Sequence, residues 1–257
     1  MKYFRGKKVL ITGASKGIGR ACAIRFAGDG AYIIINYNSS RSDAEDTLKK
    51  VTAAGGSGKI VQGDLGSSED IQRIWDASCE QGQIPDSLIL NAAFQKKALL
   101  DDTPPELLSK TLNVNLIGNY SLARLYIDTC REKGKGGTIV VHSSNQGEFV
   151  NPTGFAYAVS KAGLNHMVKH LARAVVKDKI RVNGVILGWF NTEGERIFYS
   201  AEQIEEQAKQ TVPMQRAGTP EEAANMTYFL ACEESSYMTG SLVRYDGGFA
   251  LDPDLST

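Results

Sequence analysis

Short apolar runs rich in β-branched residues recur along the chain, separated by longer stretches whose apolar positions fall three and four apart. V-L-I at 9–11 and Y-I-I-I at 32–35 are apolar without alternation, the pattern of strands buried on both faces. The pattern predicts strands over 7–12, 32–37, 59–62, 87–91, 138–143, 181–186 and 242–245. It predicts helices over 17–27, 43–53, 69–81, 105–131, 157–177 and 221–232. Strands alternating with helices imply an α/β chain with a doubly wound parallel sheet of about seven strands and helices on both faces. No linker or repeat interrupts residues 1–257, which read as one domain. The long irregular stretch from 188 to about 215 is of the kind that carries function in a compact domain. Leu164, Met167, Val168, Leu171 and Val175 form a helical stripe expected to face the core.

Composition narrows the class. Apolar residues make up 42% and charged residues 23% of 257, an ordinary globular balance. Lys+Arg and Asp+Glu number 29 each, so no net basic field points to nucleic acid or an anionic membrane. No apolar run approaches the roughly 20 residues that span a bilayer, and no signal-peptide pattern opens the chain. The expectation is a cytoplasmic protein. Cys22, Cys79, Cys130 and Cys232 are scattered and suit free thiols in a reducing compartment. His166 and His170 are four apart, but without H-E-x-x-H or a third ligand beyond His142, no metal site is expected.

Two motifs carry chemistry. After the first strand comes T-G-A-S-K-G-I-G, with Gly13, Gly17 and Gly19 spaced G-x-x-x-G-x-G. A glycine turn between strand and helix lets backbone approach a pyrophosphate, and the helix N-terminus offers unpaired N–H groups. Further on, Ser144 closes an apolar run and Y-A-V-S-K opens a helix, putting Tyr157 and Lys161 one turn apart on one face. An ammonium beside a phenol is expected to lower the phenol pKa from about 10, giving a proton donor and acceptor usable near neutrality.

With these motifs the chain resembles the classical short-chain dehydrogenase/reductase family, including its glucose and polyol dehydrogenases and 3-oxoacyl-carrier-protein reductases. The resemblance rests on the glycine turn, on Ser144 thirteen residues before Tyr157, and on Lys161. It extends to Asp64-Leu65, to Asn91-Ala92-Ala93, to N-V-N-L at 113–116, to T-P-E-E at 219–222 and to D-G-G at 246–248. It implies a Rossmann-like fold and hydride transfer between a nicotinamide and a carbonyl or carbinol carbon. It implies Tyr157 as proton donor or acceptor, Ser144 polarising the carbonyl, and Lys161 lowering the Tyr157 pKa while holding the nicotinamide ribose. Asn115, a poor helix former, is implied to kink the 105–131 helix and position a water beside Lys161.

The cofactor residues implied are Gly13, Ser15, Lys16, Gly17, Ile18 and Gly19 of the turn, with Tyr37, Asn38 and Ser39 after the second strand. Asp64 and Leu65 are implied at the adenine, Asn91, Ala92 and Ala93 at its ribose, Tyr157 and Lys161 at the nicotinamide ribose, and Gly188 and Thr192 at the nicotinamide. Leu90 replaces the family's commoner first Asn, and Leu187 replaces a Pro. The second strand ends at Tyr37 where NAD-preferring relatives carry an acid, and Lys16, with Arg41 beyond the strand, could meet a 2′-phosphate. This favours NADP(H); NAD(H) stays open through Asn36 or Asn38. Gln95, Gln146, Trp189 and Phe190 are candidate substrate contacts, with Phe94, Phe149 and Phe155 expected at the same cleft. Their aromatic and polar mixture suits a small ketone, sugar or polyol. A 3-oxoacyl-thioester reductase, drawing on Lys96 and Lys97, is the enzymatic alternative. A nucleotide-binding regulator without turnover is the non-enzymatic one, and would be expected to have lost Tyr157 or Lys161. The family also implies a homotetramer or homodimer.

Overall fold

The computed structural model describes residues 2–251; residue 1 and residues 252–257, the ends of the domain expected over 1–257, lie outside the described residues. Seven strands form one sheet: β1 Lys8–Ile11, β2 Tyr32–Tyr37, β3 Ser57–Gln62, β4 Ser87–Leu90, β5 Gly137–Ser144, β6 Ile180–Leu187 and β7 Leu242–Tyr245. Their order is β3-β2-β1-β4-β5-β6-β7, and every pairing is parallel. The expected doubly wound α/β sheet is therefore present, with the seven strands at the predicted places.

The helices are α1 Gly17–Ala27, α2 Arg41–Ala53, α3 Ser68–Ser78, α4 Pro105–Leu112, α5 Asn119–Glu132, α6 Phe155–Val175, α7 Ala201–Thr211 and α8 Pro220–Ala231. Alternate strand residues feed two cores. Val9, Ile11, Ile33, Ile35, Ile89, Val140 and Val185 pack with α1, α2 and α8 on one face. Leu10, Ile34, Leu88, Leu90, Ile139, Val141 and Val182 pack with α3, α5 and α6 on the other. This explains the unbroken apolar runs: each strand residue is buried whichever way it points. Strand order reverses between β1 and β4, and the crevice outside the carboxyl ends of strands at such a switch is where open α/β sheets bind ligands. The α6 stripe lies as predicted, with Leu164, Val168 and Val175 buried and Met167 and Leu171 packed against that core.

Two elements differ from the sequence reading. The helix expected over 105–131 is broken into α4 and α5 by a π-helical turn, Asn113–Gly118. Asn115 there is fully buried; its Oδ1 accepts from Phe94 N at 2.6 Å and its Nδ2 donates to Phe94 O at 2.9 Å. Asn119 Nδ2 donates to the Asn115 carbonyl at 2.7 Å, replacing the partner a regular helix would supply. Second, the expected loop contains α7, opened by a capping box in which Ser200 accepts from Gln203 N and Gln203 reciprocates. S-A-E-Q was the available signal, masked by a nearly all-polar exposed face. The excursion closes on itself: Gly218 N donates to Trp189 O at 2.9 Å and Asn191 N to Gly218 O at 3.0 Å. Leu187 continues β6, paired with Tyr245, so the missing proline costs no turn.

The wide turn depends on a close approach. A Cβ on Gly118 would collide with the backbone of Leu65. Gly118→Ala is expected to destabilise the protein by about 2–3 kcal/mol, read from urea unfolding midpoints; a loss below about 0.5 kcal/mol would show that the broken helix can slide away.

Candidate active site

The turn between β1 and α1 is held from both neighbouring strands. Gly13 N donates to Asn36 Oδ1 (3.2 Å) and Ala14 N to Asn36 O (2.8 Å). Asn91, just beyond β4, donates through Nδ2 to Thr12 O (2.8 Å) and Gly13 O (3.0 Å). Thr12 Oγ1 accepts in return from Asn91 N and Ala92 N. Gly19 sits under this knot: a Cβ there would lie 2.5 Å from Gly13 O and 2.7 Å from Asn91 Nδ2. Asn36, read from sequence as open to a ribose, is buried and committed to Gly13 and to the carbonyls of Val61 in β3 and Gly63 just beyond it.

A buried histidine completes the knot. His142 Nδ1 lies 3.0 Å from Asn91 Oδ1, and His142 Nε2 lies 2.7 Å from Thr227 Oγ1 on α8. Because Nδ2 of Asn91 faces two carbonyls, its Oδ1 must accept, so Nδ1 carries the proton and Thr227 donates to Nε2. Burial, with help from the Lys161 charge, lowers the His142 pKa to about 3 and keeps the ring neutral. The sequence showed His142 only as a possible third metal ligand; among the described residues no group of three such side chains could hold a metal.

Ser144 at the end of β5 and Tyr157 and Lys161 in the first turns of α6 converge beside this knot. Lys161 Nζ lies 5.3 Å from the Tyr157 ring centroid and donates to His142 O at 2.8 Å. Ser144 Oγ is buried, accepts from Gln146 N at 3.2 Å, and its hydrogen bond to Tyr157 favours the phenolate. Asn115 is one residue removed from them: its Nδ2 donates to Ser160 Oγ at 3.0 Å, and Ser160 Oγ donates to Tyr157 O at 2.6 Å.

The electrostatics differ from the sequence expectation. Burial pushes the Tyr157 phenol well above its usual 10, the Glu195 carboxylate adds to the rise, and the Ser144 bond opposes both. Burial also lowers the Lys161 ammonium from 10.5 to about 8. Desolvation outweighs the neighbouring cation, so at neutral pH Tyr157 is a protonated phenol beside a mostly charged Lys161.

Other predicted residues fall around the crevice. Ser15 O accepts from Arg20 and Thr47 Oγ1, and Ile18 packs into the first core. Lys16 is partly exposed, and its ammonium has no partner among the described residues. Tyr37 and Leu65 are buried, Ser39 is exposed, and Asn38 Nδ2 donates to Asp64 Oδ2 at 3.1 Å. Arg41 is committed to Glu45 at 2.8 Å on α2. Ala92 is partly buried and Ala93 exposed. Gly188 N donates to Tyr245 O, and Thr192 Oγ1 accepts from Glu195 N. The first helical turn takes an anion: Gly17 N donates to the Glu193 carboxylate, which Arg20 also grips. The carboxylate stands where a phosphate oxygen could bind, and Gly17, with Thr192, Lys161 and Tyr157 further along the crevice, are the residues that would hold a nicotinamide dinucleotide.

The substrate candidates divide. Gln146, its Oε1 buried without a partner, lies beside Ser144. Gln95 belongs to the loop whose Ala98 bridges Gly154. Trp189 and Phe190 instead line a cavity of about 290 Å³ with Val212, Tyr245 and Gly247. Phe149 packs on Phe249, and Phe94 lies under Lys110. Lys97, on which the thioester-reductase alternative drew, meets Glu195 at 3.7 Å and lies over the rings of Phe198 and Tyr199.

Residues 13–250 match the family model described as Enoyl-(Acyl carrier protein) reductase. The chain is 31% identical to Glucose 1-dehydrogenase 2 of Bacillus subtilis, over 98% of each protein. It is 31% identical to 3beta-hydroxysteroid dehydrogenase 1 of Eggerthella lenta, over 97% of this chain and 95% of that one. A crystal structure of a short-chain type dehydrogenase/reductase from Mycobacterium marinum superposes with a TM-score of 0.91 at 29% identity, covering 98% of both chains.

The neutral His142 makes a pH prediction. Its folded pKa of about 3 lies below the ordinary 6.5, so below pH 6.5 the unfolded chain binds a proton that the folded chain refuses. Stability present above pH 6.5 is then lost as pH falls toward 3, by about 2 kcal/mol at pH 5. Urea midpoints measured from pH 7.5 to 5 should show this slope in the wild type and a flatter one in His142→Leu; equal slopes would assign the loss to other groups.

Proposed function

We infer the function from one premise: the chain belongs to the short-chain dehydrogenase/reductase family and is an oxidoreductase that interconverts alcohols and carbonyls. We propose that it prefers NADP(H) and acts on a small ketone, sugar or polyol. The carrying observation is the convergence of Ser144, Tyr157 and Lys161 beside the knotted glycine turn. A nicotinamide dinucleotide bound along Gly13–Gly19 would supply or take up the hydride.

The protein's own groups handle the oxygen and its proton. Ser144 and Tyr157 offer two O–H donors to the substrate oxygen, stabilising the negative charge that grows there during reduction. Tyr157 is protonated at neutral pH and hands over its proton. The charge on Lys161, fixed by the His142 carbonyl, stabilises the phenolate left behind. Asn115 acts through the backbone: it fixes Phe94 and, by Ser160, the carbonyl of Tyr157.

Two features support NADP(H). The end of β2 carries Tyr37, Asn38 and Ser39 and no acid. Lys16 stands in the turn with its ammonium uncommitted. Asn38 is engaged by Asp64 and Asn36 by the turn, which removes two donors from the NAD(H) reading. For the substrate, Gln146 Oε1 awaits a donor, and Glu195 and Lys97 face the crevice with aromatic neighbours, a mixture suited to hydroxyl groups. The pairing of Lys97 with Glu195 weakens the thioester alternative, which needed that lysine for a carrier. We read the protein as one domain acting in the cytoplasm as a homotetramer or homodimer. Exposed Ile117 and Tyr120, with Phe155 and Val159 on α6, offer apolar surface to a second copy.

Following NADPH and NADH absorbance separately against ketones, aldehydes, sugars and acyl thioesters tests the whole reading. Tyr157→Phe is expected to cut kcat about a hundredfold or more while cofactor affinity, measured by calorimetry, holds; full turnover would remove Tyr157 from proton transfer. Lys16→Ala should weaken NADPH about tenfold, the loss of roughly one charge-assisted contact, and leave NADH nearly unchanged. Equal losses for both would reject the NADP(H) preference.

A further inference from the structure

The N-terminus of α1 is capped by a residue more than half the chain away. Lys16 stands at the N-cap in extended conformation without a side-chain cap, and the first turn holds no acid. The anion comes from Glu193: Gly17 N donates to its Oε2 at 2.5 Å and Arg20 Nη1 to its Oε1 at 2.9 Å. Arg20 is itself fixed by Ser15 O and Thr47 Oγ1, with Asp43 and Asp46 of α2 within 4.0 Å. Glu193 thus meets a prepared donor pair. Its own segment is also folded tightly: Thr192 Oγ1 accepts from Glu195 N, Thr192 O from Arg196 N, and Glu195 pairs with Lys97 across the crevice.

We infer that Glu193 is an internal competitor for the diphosphate of the cofactor, latching the 188–217 segment over the phosphate cradle until the dinucleotide displaces it. This rests on the dinucleotide reading above. The argument is one of exclusion. A carboxylate and a phosphate need the same N–H at the same dipole end, and two anions there would repel. Only the charge already present tells them apart, so a diphosphate must expel Glu193 before it can take Gly17 N–H.

The competition has a cost and a use. While Glu193 is seated, the cradle is open for only a fraction of the time, and the apparent affinity for the cofactor falls by that fraction. In return, expulsion frees a segment that also carries Thr192 toward the nicotinamide and Glu195 toward Tyr157. Cofactor binding is thereby linked to release of the substrate side.

Calorimetric Kd values for NADP+ and for inorganic pyrophosphate, on wild type, Glu193→Gln and Glu193→Ala, test this. Glu193→Ala should bind both about tenfold more tightly, with Glu193→Gln between, because its amide oxygen keeps a hydrogen bond without the charge. Trp189 stands at the stem of the latched segment with its ring beside Tyr199 within it, and the other tryptophan, Trp75, is buried against the opposite core. Pyrophosphate should therefore shift the tryptophan emission of wild type, and Glu193→Ala should start at the shifted value. Dinucleotide affinity unchanged or weaker in both variants would overturn the latch and leave the proposed function standing. A wild type that binds neither dinucleotide nor pyrophosphate would overturn both.

Discussion

The side-chain amide of Asn91 reaches two carbonyls of the first crossover turn, and its oxygen accepts a hydrogen bond from the ring of His142. Four pieces of the fold meet there: the end of β1, the end of β4, β5 and, through Thr227, α8. Every later feature of the crevice is placed relative to it. The glycine turn cannot lift from the sheet without breaking the Asn91 bonds. The His142 carbonyl that fixes Lys161 belongs to the residue whose ring fixes Asn91. A bend in the cofactor turn and the position of the catalytic ammonium are therefore set by one buried polar network. Such networks are costly if left half-satisfied, and this one pairs each of its atoms.

The same enclosure sets the charge states. Taking Tyr157, Lys161 and His142 out of water moves each toward its neutral form: the phenol up, the ammonium down, the imidazole down. The lysine keeps enough proton affinity to remain mostly charged at pH 7, and the tyrosine keeps its proton. The site is thus poised to give a proton to a carbonyl oxygen. In the opposite direction it must remove a proton from a phenol that holds it firmly.

What the sequence revealed was local. The glycine spacing, the run from Ser144 to Tyr157 and the one-turn gap to Lys161 are properties of single turns and helices, and the strands announced themselves through unbroken apolar runs. What it hid was relational. Asn36 looked available because its partners, Gly13 and the carbonyls of Val61 and Gly63, lie on other elements. Asn115 was singled out as a helix-breaker, but its side-chain partners, the Phe94 backbone and Ser160, lie on other elements. The Tyr157 pKa was misjudged because a cation four residues away is visible in a sequence and desolvation is not. Glu193, His142 and Lys97 carry no spacing signal at all; only the crossovers bring them to the crevice.

The paired backbone at Trp189, Asn191 and Gly218 has a consequence for how such a protein can change. Everything from Asn191 to Ala217 leaves the body through a stem zipped by two hydrogen bonds, with α7 and its own small core enclosed between. Chain entropy rises only with the logarithm of the number of residues in such a closed excursion. Lengthening, shortening or exchanging it therefore perturbs folding little, as long as the stem survives. Selection can then rewrite what enters the crevice as a replaceable cassette, while the machinery beneath is inherited unchanged.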